Sequence, residues 1–144
     1  MTMMRCWRPV VAVVVAVCLL VAGCVSEWDR RMQGLRDDPM ASASWEGLEL
    51  LGTVETSNDS WNPPSPSITR CYKLTVPVEE AFSQVKSTAE QCEWSKELIP
   101  SAVEYASYEK VISGSKVFLQ LSTSSVECDV SYPNFDFRIT LTDR

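Results

Sequence analysis

Residues 78–94, Val-Glu-Glu-Ala-Phe-Ser-Gln-Val-Lys-Ser-Thr-Ala-Glu-Gln-Cys-Glu-Trp, carry the pattern that decides the fold. Phe82, Val85, Ala89 and Cys92 recur at spacings of three and four residues, which places them on one face of a helix. A proline precedes the segment and two glutamates occupy its first turn, as is typical of a helix start. We therefore predict one main helix, whose apolar face needs a second layer to cover it.

Segments of alternating polarity on both sides of this helix predict that layer. The predicted strands are residues 48–55, 68–76, 103–112, 115–122 and 134–144. The first two are separated by a proline-rich loop, and Ser113-Gly114 joins the third and fourth as a tight hairpin. We read residues 123–133 as a long connection. The expected fold is α+β, an antiparallel sheet of about five strands with one main helix packed on one face.

Residues 26–38 predict a short helix ahead of the sheet. Ser26 is a suitable N-cap, and Pro39 directly follows the segment and ends it. Trp28 falls on its thin apolar stripe, and we expect it to dock on the domain, although an indole here also suits a membrane interface. A flexible tether is the alternative interpretation of this segment.

The first 23 residues predict an export signal. Arg5 and Arg8 give a positive start without acids, and residues 10–22 are uncharged. The uncharged run is shorter than the about 20 apolar residues that a membrane-spanning helix needs. A simple secretory signal and a short uncleaved anchor are the alternatives at this point.

The segment Val21-Ala22-Gly23-Cys24 resembles the lipobox of bacterial lipoprotein precursors, which has an aliphatic residue, a small residue, Gly or Ala, and an obligatory Cys. The resemblance implies that a diacylglycerol is attached to the Cys24 sulfur and that the leader is cut between Gly23 and Cys24. The protein would then be a cell-envelope lipoprotein, held by its lipid on the extracytoplasmic face of the cell membrane. Two acyl chains, at about 0.8 kcal/mol per buried CH₂, suffice for stable attachment.

The layout after the cysteine carries a second resemblance. A short charged helix closing on Asp38-Pro39-Met40, followed by two strands, a helix and further strands, is similar to small lipoproteins of actinobacteria without assigned activities. That likeness implies no mechanism. The chain is thereby divided into a signal peptide at 1–23, a lipid-anchored segment at 24–44 and a globular domain at 45–144.

Three cysteines remain after cleavage and acylation, and an exported location permits one disulfide among them. Cys92 lies on the helix face that meets the sheet, and Cys128 alternates inward with Val126 and Val130. Cys71 points to the sheet face opposite its apolar neighbours. We therefore predict a Cys92–Cys128 bridge with Cys71 as the spare thiol, although a strand slip of one residue would reverse this. Zinc binding by the three is disfavoured because no Cys-x-x-Cys spacing supports it.

Composition excludes several functions. The chain has no histidine, which removes the commonest general base, the commonest transition-metal ligand and every Ser-His or Cys-His dyad. The net charge of −6 becomes −8 when the leader leaves with its two arginines, which argues against a nucleic-acid partner. We therefore predict no catalytic residue, no metal site and no cofactor, and we expect the protein not to be an enzyme.

Three functions remain open. The first is a binding or interaction module whose contact loop is Trp61-Asn62-Pro63-Pro64, which displays an aromatic side chain on rigid proline backbone toward an envelope protein or a small molecule. Its alternative is a Trp61 folded back over the sheet edge. The second is a carrier of a small apolar ligand between helix and sheet. The third is a carboxylate-based hydrolase using the nearest acidic cluster, Glu127, Asp129 and Asp136, which otherwise would hold calcium or lie solvated.

Overall fold

The structure is a computed structural model that describes residues 25–96 and 104–144. Within these ranges, six antiparallel strands form one sheet in the order β1-β2-β6-β5-β4-β3. The strands are β1 (Leu48–Glu55), β2 (Ser67–Leu74), β3 (Ser95–Lys96), β4 (Tyr105–Ile112), β5 (Ser115–Ser122) and β6 (Phe137–Asp143). The helices are α1 (Glu27–Asp37), α2 (Val78–Gln91) and α3 (Val126–Ser131), with a 3₁₀ turn at Pro39–Ala41. The predicted α+β class is confirmed, with one very short strand, β3, added to the expected number.

The core lies on the sheet face that α1 and α2 cover. Alternate residues of β2, β6, β5 and β4 point to this face, and their side chains are buried there. From α2, Phe82 packs edge-on against Phe137 of β6, with ring centroids 4.9 Å apart. From α1, Met32 and Leu35 enter the same core. The predicted amphipathic helix therefore covers the sheet as expected.

The N-terminal segment is helical from its first described turn. The backbone N–H of Asp29 donates to the Ser26 hydroxyl at 3.0 Å, which is the predicted N-cap. Trp28 is partly buried against the core, so the helix is docked rather than free. Helix α1 ends at Asp37, just before the Asp38-Pro39 step.

None of the described helices has the length and apolar character needed to cross a membrane.

A buried arginine holds the turn between α1 and β1 in place. The Arg70 guanidinium donates to the carbonyls of Met40, at 3.3 Å, and Ala43, at 2.7 Å. It also lies 5.4 Å from the centre of the Tyr72 ring. Because carbonyls and an aromatic face satisfy the guanidinium, this cation is accommodated on the sheet face that holds the core.

The opposite face of the sheet carries α3, which lies within the predicted long connection at residues 123–133. Residues 126–131 form a helix rather than an alternating extended segment. Cys128 is buried, whereas Val126 is 76% exposed and Val130 81% exposed. The helix is short and its valines favour strands, so the local pattern gave no helical period.

The predicted Cys92–Cys128 disulfide is corrected for the same reason. Cys128 is bonded to Cys71, and Cys92 is unpaired among the cysteines that the structure describes. The sequence placed Cys71 on the sheet face opposite the apolar core, and that is the face on which α3 packs. Cys92 lies at the C-cap of α2, against the core on the other face.

Candidate functional site

The loop between β1 and β2 carries the most exposed aromatic side chain of the described residues. Trp61 is 101% exposed, so its indole projects away from the rest of the described chain. Asn62 and Pro64 are also exposed, and Pro63 is partly buried. The alternative in which Trp61 folds over the sheet edge is therefore not the observed one. We call residues 57–66 the Trp61 loop.

The second half of the Trp61 loop is fixed to the domain. The indole N–H of Trp28 donates to the carbonyl of Pro64 at 2.8 Å. Pro66 is buried, and its carbonyl accepts from the backbone N–H of Asp143 at 3.0 Å. At the loop base, the backbone N–H of Ser67 donates to the Thr56 hydroxyl at 2.8 Å. The tip therefore projects from an anchored base, and its prolines restrict the backbone further.

The first described residues lie beside this loop. Trp28 is in the first turn of α1, and its hydrogen bond to Pro64 joins that turn to the loop. Val25, two residues before the helix, is 64% exposed. The lipidation and cleavage sites predicted at Cys24 and Gly23 lie outside the described residues, and Cys24 directly precedes Val25 in the sequence.

Two arginines of α1 pair with carboxylates of the domain. The Arg31 guanidinium contacts Glu27 at 2.8 Å and lies 3.8 Å from the buried carboxylate of Asp143. The Arg36 guanidinium pairs with Glu55 of β1 at 2.6 Å. The Trp61 loop itself carries one charge, that of Asp59. Its chemistry is therefore aromatic and polar, with little electrostatic character.

The acidic cluster predicted near the C-terminus consists of carboxylates with separate structural roles. Glu127 accepts a hydrogen bond from the Ser125 hydroxyl at 2.8 Å, and this bond holds the pKa of Glu127 below its usual value. The backbone N–H of Leu74, followed by the Lys73 ammonium, lowers the pKa of Asp136 in the same way. Asp129 is exposed on α3. The described residues hold no group of three or more side chains suited to a metal ion.

A buried polar cluster that the sequence analysis missed surrounds Asp38. One carboxylate oxygen accepts from the backbone N–H of Met40, at 2.9 Å, and from the Trp94 indole, at 3.3 Å. The other accepts from the Lys110 ammonium at 3.0 Å, and the same ammonium donates to the carbonyl of Cys92 at 2.9 Å. We call this arrangement the Asp38 cluster. The Asp-Pro step was a sequence signal for the cap alone, since Asp38 caps the 3₁₀ turn that Pro39 begins.

These contacts define one candidate surface, at the end of the domain where the described chain begins. It consists of Val25, the first turn of α1 and the Trp61 loop, joined through the Trp28–Pro64 hydrogen bond. No family model, curated protein or solved structure matches this chain.

Proposed function

We propose that this protein is a cell-envelope lipoprotein, held on the extracytoplasmic face of the membrane by lipid on Cys24, and that its domain is a binding or interaction module whose contact surface is the Trp61 loop. The observation that carries the proposal is the position of this loop. Ser26 already caps a helix that is docked on the core, and that helix is hydrogen-bonded to the loop. A lipid on Cys24 would therefore hold the loop close to the membrane, without a flexible spacer.

The disulfide supports the extracytoplasmic location. Cys71 and Cys128 are both fully buried, and their bond joins β2 to α3 across 57 residues of sequence. Structural disulfides of this kind form and persist in oxidising compartments and are rare in the cytoplasm of mesophiles. The export signal and the bridge therefore favour the same compartment from independent residues.

The two alternative functions have less support. A carrier needs an apolar cavity between α2 and the sheet. Phe82 instead packs directly on Phe137, and Ala81, Val85 and Ala89 of the same helix are fully buried. A hydrolase needs two carboxylates acting on one substrate, whereas Glu127 and Asp136 accept hydrogen bonds from different neighbours. Neither alternative explains why a tryptophan projects into solvent.

The anchoring is tested in the native host by comparing Cys24→Ala with Cys18→Ala. Both changes remove a thiol near the apolar run, but only the first removes the acyl acceptor. We expect the wild type and Cys18→Ala to be membrane-bound, with an intact mass that fits a chain starting at Cys24 with attached diacylglycerol. We expect Cys24→Ala to lack that lipid mass. A wild-type chain of unmodified mass with residues 1–23 still present would overturn the proposal.

A further inference from the structure

We propose that the partner of the Trp61 loop is the lipid interface of the membrane that carries the anchor, so that the domain has two attachment points and one fixed orientation. This inference rests on the proposed acylation of Cys24 and names the partner of the same surface. The lipid holds the start of α1, and the Trp61 indole enters the headgroup layer beside it.

The exposure of Trp61 is the first argument. Tryptophan has a large apolar ring and a single polar N–H, and membrane proteins place it at the level of the lipid headgroups, where the ring is dry and the N–H is hydrated. Trp61 is 101% exposed, while Trp94 is buried and Trp28 and Trp45 pack against the core. Of the four tryptophans in the described residues, Trp61 alone leaves its ring free for such an environment.

The reach of the chain is the second argument. Cys24 is four residues from Trp28, a separation of ~14 Å at most in a fully extended chain. Trp61 is three residues from Pro64, or ~11 Å at most, and Trp28 and Pro64 are in direct contact. The Trp28–Pro64 contact makes the first turn of α1 and the Trp61 loop neighbours on the surface. We therefore expect a bilayer anchored at Cys24 to be within reach of the Trp61 indole.

The charge of the loop determines what kind of membrane contact this is. Residues 57–66 contain Asp59 and no lysine or arginine, so attraction to anionic lipid contributes nothing to their binding. One indole alone gives weak attachment, but a tethered indole acts at a high effective concentration. We therefore expect the contact to require the anchor and to be no stronger on anionic than on zwitterionic membranes.

The test uses the acylated protein, purified from membranes and reconstituted into phosphatidylcholine vesicles with bromine on the acyl chains near the headgroups. Bromine quenches only tryptophans that enter the interface. We expect the emission of the wild type to fall relative to vesicles without bromine, and we expect this loss to disappear in Trp61→Phe. The matched control is Trp45→Phe, which removes a tryptophan packed on the core and should retain the quenching.

Two results would overturn the inference. One is an acylated, vesicle-bound wild type whose emission bromine does not change, and the other is equal quenching in the wild type and Trp61→Phe. If the indole instead meets another envelope protein, the vesicles would give the first result. Crosslinking from position 61 in native membranes would then capture a polypeptide. Circular dichroism of each variant verifies that the sheet is intact. Because Trp61 is fully exposed on the described part of the chain, its replacement should leave the fold unchanged.

A synthetic anchor separates this inference from the proposed function. A chain starting at Cys24 contains every described element of the fold, so it can be coupled through Cys24 to a maleimide phospholipid in a Cys92→Ala background. Trp61-dependent quenching in that conjugate supports the membrane contact even if the host protein proves to carry no lipid. Absence of quenching in the conjugate, with natural acylation verified by mass, refutes the contact and leaves the anchoring intact.

Discussion

Replacement of Lys110 by methionine should destabilise the domain more than replacement of its partner Asp38 by asparagine. Both side chains belong to the Asp38 cluster, but their surroundings differ. The Asp38 side chain is 2% exposed, whereas that of Lys110 is 23% exposed. Once its partner is lost, the lysine ammonium can still reach water and retains the Cys92 carbonyl. The aspartate has no such route to solvent.

The expected magnitudes follow from that asymmetry. Lys110→Met leaves a buried carboxylate with two neutral donors, Met40 N–H and the Trp94 indole, and removal of one partner from a buried pair costs about 3–5 kcal/mol. Asp38→Asn keeps an oxygen that accepts from Met40 and loses mainly the ionic hydrogen bond, worth about 1.5–3 kcal/mol. The double variant should therefore be more stable than the sum of the single changes indicates, because no unpaired charge remains in the core.

Urea unfolding of the oxidised protein, with the midpoint and slope fitted for each variant, measures these differences. The matched control is Lys116→Met, which removes a lysine from the exposed pair with Glu109 and should cost about 0–1 kcal/mol. The reasoning is refuted if Asp38→Asn costs as much as Lys110→Met, or if the two single effects simply add in the double variant.

Three further changes test other parts of the structure. Cys71→Ala opens the bridge between residues 57 positions apart, and loop entropy predicts that the free energy of unfolding falls by about 4 kcal/mol. Cys92→Ala, which breaks no bridge, should lower it by about 1 kcal/mol or less. Equal unfolding midpoints for the two variants would contradict the observed pairing. Tyr72→Phe removes a buried hydroxyl without a hydrogen-bond partner among the described residues and should be neutral or stabilise by about 1 kcal/mol in urea at neutral pH. Burial raises the pKa of Tyr72 from 10.0 to about 12, so the folded state keeps a proton that the unfolded chain loses. The free energy of unfolding of the wild type should therefore fall as the pH rises from 10 to 12. The fall should be smaller in Tyr72→Phe, which has no hydroxyl to titrate. Gly52→Ala places a methyl group against the Tyr132 hydroxyl and should lower the free energy of unfolding by about 1–3 kcal/mol. Adding Tyr132→Ala to the same chain should reduce this loss. An unchanged thermal midpoint in Gly52→Ala would disprove the prediction.

The strands and the main helix were predictable because their signals are local. The leucines and valine of residues 48–55 predicted a strand, and the observed β1 has those bounds. The predicted alternation is interrupted by a bulge between Leu50 and Gly52, which moves Val54 to the face opposite Leu48. The Ser113-Gly114 turn was equally readable, since both residues have positive φ and glycine adopts that conformation without strain. A pattern that repeats within a few residues specifies the element that contains it.

The features that were missed depend on distant parts of the chain. The two residues of β3 form a strand only because they pair with Glu109 and Tyr108 of β4. Asp38 meets Trp94 and Lys110 across 56 and 72 residues, and nothing in the segment 36–40 indicates those partners. For the candidate surface, the prolines and Trp61 marked a loop, but its hydrogen bond to Trp28 spans 36 residues and only the fold reveals it.

The position of β6 in the sheet affects how the chain can fold during synthesis. The β1–β2 hairpin and the β4–β5 hairpin are not neighbours; β6 lies between them and is hydrogen-bonded to both. Since β6 follows every other described element in the sequence, a growing chain holds two separate half-sheets until residues 137–143 are free. Pairing so remote in sequence is slow to form. A chain threaded through a translocation pore would thus keep its two hairpins apart until β6 emerged on the far side, where the sheet closes.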